Sequence, residues 1–132
     1  MNWVANNLDL IWELTLVHLR QSVIAIVLGF ILSLPLGWLA WRYRGARGGI
    51  LTVTGLLYTI PSLALLMIIP VILGTAPFNE VNLILALTIY AIALMTRSVT
   101  DGLGSVDPAV RLSATAMGYG AGRRFWAVDF PL

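Results

Sequence analysis

Lysine and cysteine are missing altogether from this sequence, histidine occurs once, and charge of either sign is scarce. Without cysteine there are no disulfides and no thiolate metal sites, and the redox compartment is not readable. Without lysine the chain has no Gly-x-x-x-x-Gly-Lys phosphate loop, so any nucleotide hydrolysis of that type must be supplied by a partner. His18 stands alone and reads as an interfacial polar residue, so no metal and no cofactor is expected. Charged residues make up 11% of the chain, where a soluble domain carries about a quarter. The formal net charge of +2 comes from eight arginines against six acids. So sparse an excess argues against a nucleic-acid partner and is more useful for orientation.

Apolar residues are what fill the chain: 59% of 132 positions, with a mean hydropathy of +0.90. A chain this short cannot hide so much apolar surface in its own core. Lipid must take up the surplus, and the fold class expected is an all-α membrane protein. The first uncharged run covers residues 23–41, enough for a hydrocarbon core of about 30 Å at about 1.5 Å per residue. It holds Pro35 and Gly37, which membrane helices tolerate, and ends in Trp38 and Trp41, suited to the interface. The second run, 50–78, contains Pro61, Pro70 and Pro77, and Pro61 should bend or break the helix. The third, 81–96, reaches across if Arg97 snorkels and the helix continues towards Gly102. The expected spans are therefore 20–41, 54–73 and 81–101, in a single domain. The uncharged runs themselves hold no ionisable pair, and Arg20, Arg97 and Asp101 stand only towards the span ends, which argues against a membrane enzyme.

Arginine placement gives the orientation. Arg42, Arg44 and Arg47 fall between the first two spans, and Arg97, Arg111, Arg123 and Arg124 follow from the end of the third. The connection between spans two and three holds Glu80 and no arginine. By the positive-inside rule the first loop and the tail are cytoplasmic and the amino terminus lies outside. Residues 1–8 lack the basic region and cleavage site of a secretory signal, so no cleaved signal is expected. Residues 8–19, with Leu8, Ile11, Trp12, Thr15 and Leu19 on one face, predict an interfacial helix leading into the first span.

The tail, 103–132, changes character. Asp107 is a helix N-cap, Pro108 fits the first turn, and a helix through Met117 should stop at Gly118 in the left-handed conformation. Its Ala-rich face permits close approach by another surface. Arg123 and Arg124 beside Phe125 and Trp126 suit the headgroup layer of an anionic leaflet, with membrane lipid as partner.

Residues 106–132, VDPAVRLSATAMGYGAGRRFWAVDFPL, resemble the cytoplasmic loop of bacterial ABC-transporter permeases of the binding-protein-dependent importer type. That loop reads Glu-Ala-Ala, three residues, Gly, nine residues, then Ile-x-Leu-Pro. Ala114 matches the second alanine, Gly118 the glycine, and Val128, Phe130 and Pro131 the closing positions. Leu112 stands where the glutamate belongs and Ser113 where the first alanine belongs. The stretch from Tyr58 through Pro61 and Ser62 to Leu66 is similar to the second span of permeases for osmoprotectants such as glycine betaine, choline and carnitine. Tyr90, Arg97 and Gly102 are similar to the third span of the same subfamily.

The resemblance implies a type I importer permease fold, incomplete here, because family members carry at least two more spans after the motif proline. The chain therefore reads as an amino-terminal portion. It implies a bacterial inner-membrane importer, with a short coupling helix docking into a separate ATP-binding subunit. A second permease, identical or different, and an extracytoplasmic solute-binding protein complete the expected partners. The coupling residues would be Asp107, Pro108, Leu112, Ala114, Gly118, Val128, Phe130 and Pro131, and the substrate pathway would take in Tyr58, Pro61, Ser62 and Tyr90. With Leu112 in place of the acid, contact to the ATPase at that point would be apolar packing. Tyr58, Tyr90 and the tryptophans could form a cage for a quaternary ammonium ion, although belt and packing roles are the commoner ones for such residues. The competing reading is a small non-transporting membrane protein, an anchor or a pore-forming oligomer, which needs no ATPase.

Overall fold

A computed structural model describes residues 2–132, and every regular element among them is helical. The short α1 (Asn2–Asn6) leads into α2 (Leu8–Arg42), a single helix of 35 residues. Next come α3 (Arg44–Thr59), α4 (Ser62–Leu73) and α5 (Glu80–Ser105). The chain closes with α6 (Pro108–Ala116), the single turn α7 (Ala121–Arg124) and a π-helical turn over Phe125–Asp129. Helices α2 and α5 are each long and apolar enough to cross a membrane. The pair α3–α4 makes a third pass if its two halves are one broken span.

Helices α2 and α5 form the spine, and they run parallel. Residue numbers rise together along the contact: Arg20 pairs with Glu80 at 2.5 Å, Gly29 faces Ala91, and Gly37 faces Val99. The buried residues of α2 are Ala25, Gly29, Ser33, Gly37 and Ala40, a ladder of small side chains at mainly four-residue spacing. On α5 they include Ala86, Ala93, Thr96 and Thr100. In lipid, apolar burial does not drive helices together; close van der Waals packing does, and small residues allow it. The outward surface is the reverse, with Val23, Ile26, Ile31, Val71 and Ile72 all largely exposed. An apolar surface of that extent marks contact with lipid or another protein.

Because the spine helices are parallel, α3 and α4 together must carry the chain back from one end to the other. Arg47 of α3 lies 3.4 Å from Asp101 near the end of α5, whereas Thr75, just after α4, bonds to Asn82 near its start. Between them the path turns through 101° at Ile60 and Pro61. Proline drives the residue before it out of the α region and supplies no N–H, and Ile60 is extended (φ −66°, ψ 126°). Below the turn Leu65 and Ile69 bury against Ala86, flanked by Ile60, Leu66, Leu85, Ile89 and Tyr90.

Several boundaries differ from the expected ones. Residues 8–19 are no separate interfacial helix but the first part of α2, because no glycine or proline before Gly29 interrupts it. The second run breaks at Pro61, as expected there, into two sharply bent halves, and its helical part begins ten residues before 54, at Arg44. Helix α5 runs on to Ser105, past the expected span end at 101.

Candidate functional site

Helix α6 is built by its caps. The Asp107 carboxylate accepts from the Ala109 amide at 2.8 Å, and Pro108 occupies the first turn, where a missing N–H costs nothing. At the other end Gly118 has φ +84°. Its amide donates to the Thr115 carbonyl at 3.0 Å, and the Tyr119 amide donates to the Ala114 carbonyl at 3.1 Å. That is the double closure of a Schellman motif, which satisfies two otherwise orphaned carbonyls.

The two faces of α6 differ. Ala114 is buried, at 2% exposure, and so faces the rest of the protein, while Leu112 and Met117 are each 71% exposed. The outward face that a partner could touch is therefore centred on Leu112 with Ala109 and Ala116 beside it, and Ala114 secures the inward packing. Val128, Phe130 and Pro131 do not join Leu112 on that face. Val128 is half-buried, the Phe130 ring sits 6.5 Å from that of Phe30 on α2, and Pro131 lines a cleft of about 350 Å³ with Phe30, Leu34 and Val99. Phe130 and Pro131 thus lie beside the spine, and Asp107, Pro108, Leu112 and Gly118 shape the projecting helix.

What joins these two groups is Asp129, which the sequence reading assigned no part. Its side chain is 2% exposed, and Arg111 Nε donates to its Oδ1 at 2.7 Å. Arg124 Nε lies 3.4 Å from Oδ2, and Arg124 Nη1 donates to Thr115 Oγ1 at 3.0 Å. Arg124 therefore turns inward rather than to headgroups, while Arg123 stacks on the Tyr119 ring at 4.7 Å. Arg111 also donates through Nη2 to the Leu103 carbonyl and sits over the Trp41 ring at 4.6 Å. An acid following the three arginines of the tail, Arg111, Arg123 and Arg124, was the available signal.

The second group of expected residues converges at the break between α3 and α4. Pro61 makes the turn and Ser62 opens α4. The Tyr58 and Tyr90 rings meet edge to face, with centroids 6.2 Å apart. The Tyr90 hydroxyl donates to the carbonyl of Ile60, the residue before the proline. Tyr90 lies on α5 between the Glu80 and Asp101 contacts, so the break sits midway along the spine. Three of the tryptophans are engaged elsewhere: Trp41 with Arg111, Trp38 with Tyr43 and Trp126 with Phe125. Among the described residues no cluster of three or more His, Cys, Asp or Glu side chains is placed to hold a metal ion.

Comparison with curated proteins finds permease proteins of transport systems. The chain is 31% identical over 115 residues to the glycine betaine/carnitine/choline transport system permease protein OpuCD of Bacillus subtilis, covering 87% of this chain and 49% of that protein. It is 29% identical over 115 residues to the choline transport system permease protein OpuBB of the same organism, covering 87% and 52%. It is 25% identical over 121 residues to the trimethylamine N-oxide transport system permease protein TmoV of Pelagibacter ubique, covering 92% and 16%. The chain spans about half the length of the first curated relatives it matches. No family model matches it, and no solved structure does.

Proposed function

We propose that this chain, a homologue of osmoprotectant transport permeases over most of its length, provides membrane passes and the coupling loop of an ATP-driven importer of a small osmoprotectant. The observation that carries this reading is the doubly capped α6. It projects an exposed apolar face from the same end of the spine that bears Arg42, Arg44 and Arg47. In this reading α2, the bent pair α3–α4 and α5 are three spans of the bacterial plasma membrane. The amino terminus is outside, and α6 is cytoplasmic, by the arginine bias. An ATP-binding subunit seats α6, a second permease completes the pathway, and a solute-binding protein delivers substrate from outside. Closure of the ATP-binding subunits moves α6 and, through it, the spans. The break at Pro61, flanked by Tyr58, Ser62 and Tyr90, is the pathway element: bent backbone at mid-depth is tolerated where it is buried in protein or lines a cavity.

Affinity purification of the tagged protein from its own host tests the proposal. An ATPase subunit should copurify, and Gly118→Pro or deletion of residues 108–118 should release it while the spans still insert. Absence of any ATPase from the wild-type purification would instead favour a membrane anchor or pore.

A further inference from the structure

We propose that Arg111 and Asp129 are positioning residues: the buried Arg111–Asp129–Arg124 network fastens the coupling helix to the spine, so that movement of α6 reaches α2 and α5. The inference rests on the permease reading above and adds the route by which force would travel. Apart from the network, α6 is joined to α5 by the short linker of Val106 and Asp107, and Ala114 is its one buried residue. Neither fixes the angle of a nine-residue helix.

The network supplies what those contacts lack. Arg111 alone touches four parts of the fold. It belongs to α6, its Nε holds Asp129 of the π-helical turn, its Nη2 holds the Leu103 carbonyl of α5, and its guanidinium covers Trp41 of α2. A planar guanidinium can do this because its donors diverge in one plane while its faces stay free for an aromatic ring. Arg124 closes the loop by reaching from Asp129 back to Thr115, one turn beyond Arg111 on α6. Both Asp129 oxygens are thus engaged, and its side chain is 2% exposed while Arg111 and Arg124 keep 17% and 27%.

Burial decides the mechanical character of this link. Apolar contacts slide past one another at little cost. Separating a buried carboxylate from its guanidinium leaves an uncompensated charge, which is strongly unfavourable. The helix, the returning segment and the ends of α2 and α5 therefore move as one body. Leu112, the most prominent apolar contact on the outward face, adjoins Arg111 in sequence, so a pull on one is felt at the other without an intermediate residue.

The test uses the complete transporter reconstituted with its ATPase and binding protein, reading solute transported per ATP hydrolysed. Arg111→Lys keeps the charge beside Asp129 but cannot also hold the Leu103 carbonyl and cover Trp41. It should leave ATPase copurification intact and lower the transport-to-hydrolysis ratio by about tenfold. Asp129→Asn should lower it at least as much, Asp129→Glu should recover most of it, and exchanging the charges (Arg111→Asp with Asp129→Arg) should restore part. A wild-type ratio in Arg111→Lys or Asp129→Asn, with the ATPase still bound, would overturn the inference and leave the permease reading standing. Failure of the wild-type protein to bind an ATPase would overturn both.

Discussion

Gly37 of α2 lies so close to Val99 of α5 that a Cβ placed on it would be 2.5 Å from Val99 Cγ1 and 3.1 Å from the Thr96 carbonyl oxygen. The helices can meet at that distance only because one side chain is a hydrogen. Gly37→Ala should therefore force them apart and destabilise the protein by about 1–3 kcal/mol, as overpacking typically does. Gly45→Ala is the control, since nothing lies within 4 Å of its Cβ position. In the first turn of α3 that change should be neutral or raise stability by up to about 1 kcal/mol. Thermal unfolding in detergent, followed by tryptophan fluorescence, should shift in opposite directions or by clearly different amounts.

The break at Pro61 has a different support. Tyr90→Phe removes the hydroxyl that satisfies the Ile60 carbonyl while leaving the ring against Tyr58. The expected loss is about 0.5–1.5 kcal/mol, the net worth of one such bond. It should appear locally, as faster amide exchange over residues 57–65, before any fall in the global unfolding midpoint. Unchanged exchange there would mean that proline geometry alone holds the bend.

How much of this was legible beforehand divides by range. The caps of α6 were readable because Asp107, Pro108 and Gly118 act within one turn of where they stand in sequence. The apolar stretches of α2 and α5 were equally plain, since length and absence of charge decide them. The ladder Ala25, Gly29, Ser33 and Gly37 is written at strict four-residue spacing, yet the larger apolar residues between its rungs conceal it. The 101° turn was half legible: Pro61 announces a break, but its angle is held by Tyr90, thirty residues on. Asp129 could not be assigned, because Arg111, eighteen residues earlier, becomes its neighbour only when the tail folds back on α6; Arg124 alone is local.

The local readings allow a graded prediction at α6. Asp107→Ala removes the N-cap acceptor and should cost about 1 kcal/mol of helix stability. Gly118→Ala places a Cβ at φ +84°, where there is open space but an unfavourable backbone, and should cost roughly 1–2 kcal/mol. Either change should fray α6 from its own end, so amide exchange should accelerate near Ala109 in the first variant and near Thr115 in the second. The spans should keep their protection in both.

The opposite end of the spine offers a comparison between a buried polar contact and an exposed ionic one. Asn82 is 1% exposed, its Nδ2 donating to the Ala76 carbonyl at 3.0 Å and its Oδ1 accepting from Thr75 Oγ1 at 2.9 Å. It therefore ties the loop after α4 to the first turns of α5. Asn82→Leu fills similar space but leaves that hydroxyl and carbonyl without their partner, at an expected cost of about 1–3 kcal/mol. Arg20 and Glu80 form an ion pair beside it, yet their side chains are 59% and 41% exposed. Water and salt screen such a pair, so Glu80→Gln should cost less than about 1 kcal/mol, and less still as ionic strength rises. The shorter bond is thus the weaker support, because what a contact contributes depends on what water would give its partners when it is broken. Limited proteolysis of the 74–79 loop should accelerate in Asn82→Leu and stay near the wild-type rate in Glu80→Gln; the reverse order would mean that the ion pair, not the buried amide, anchors this end.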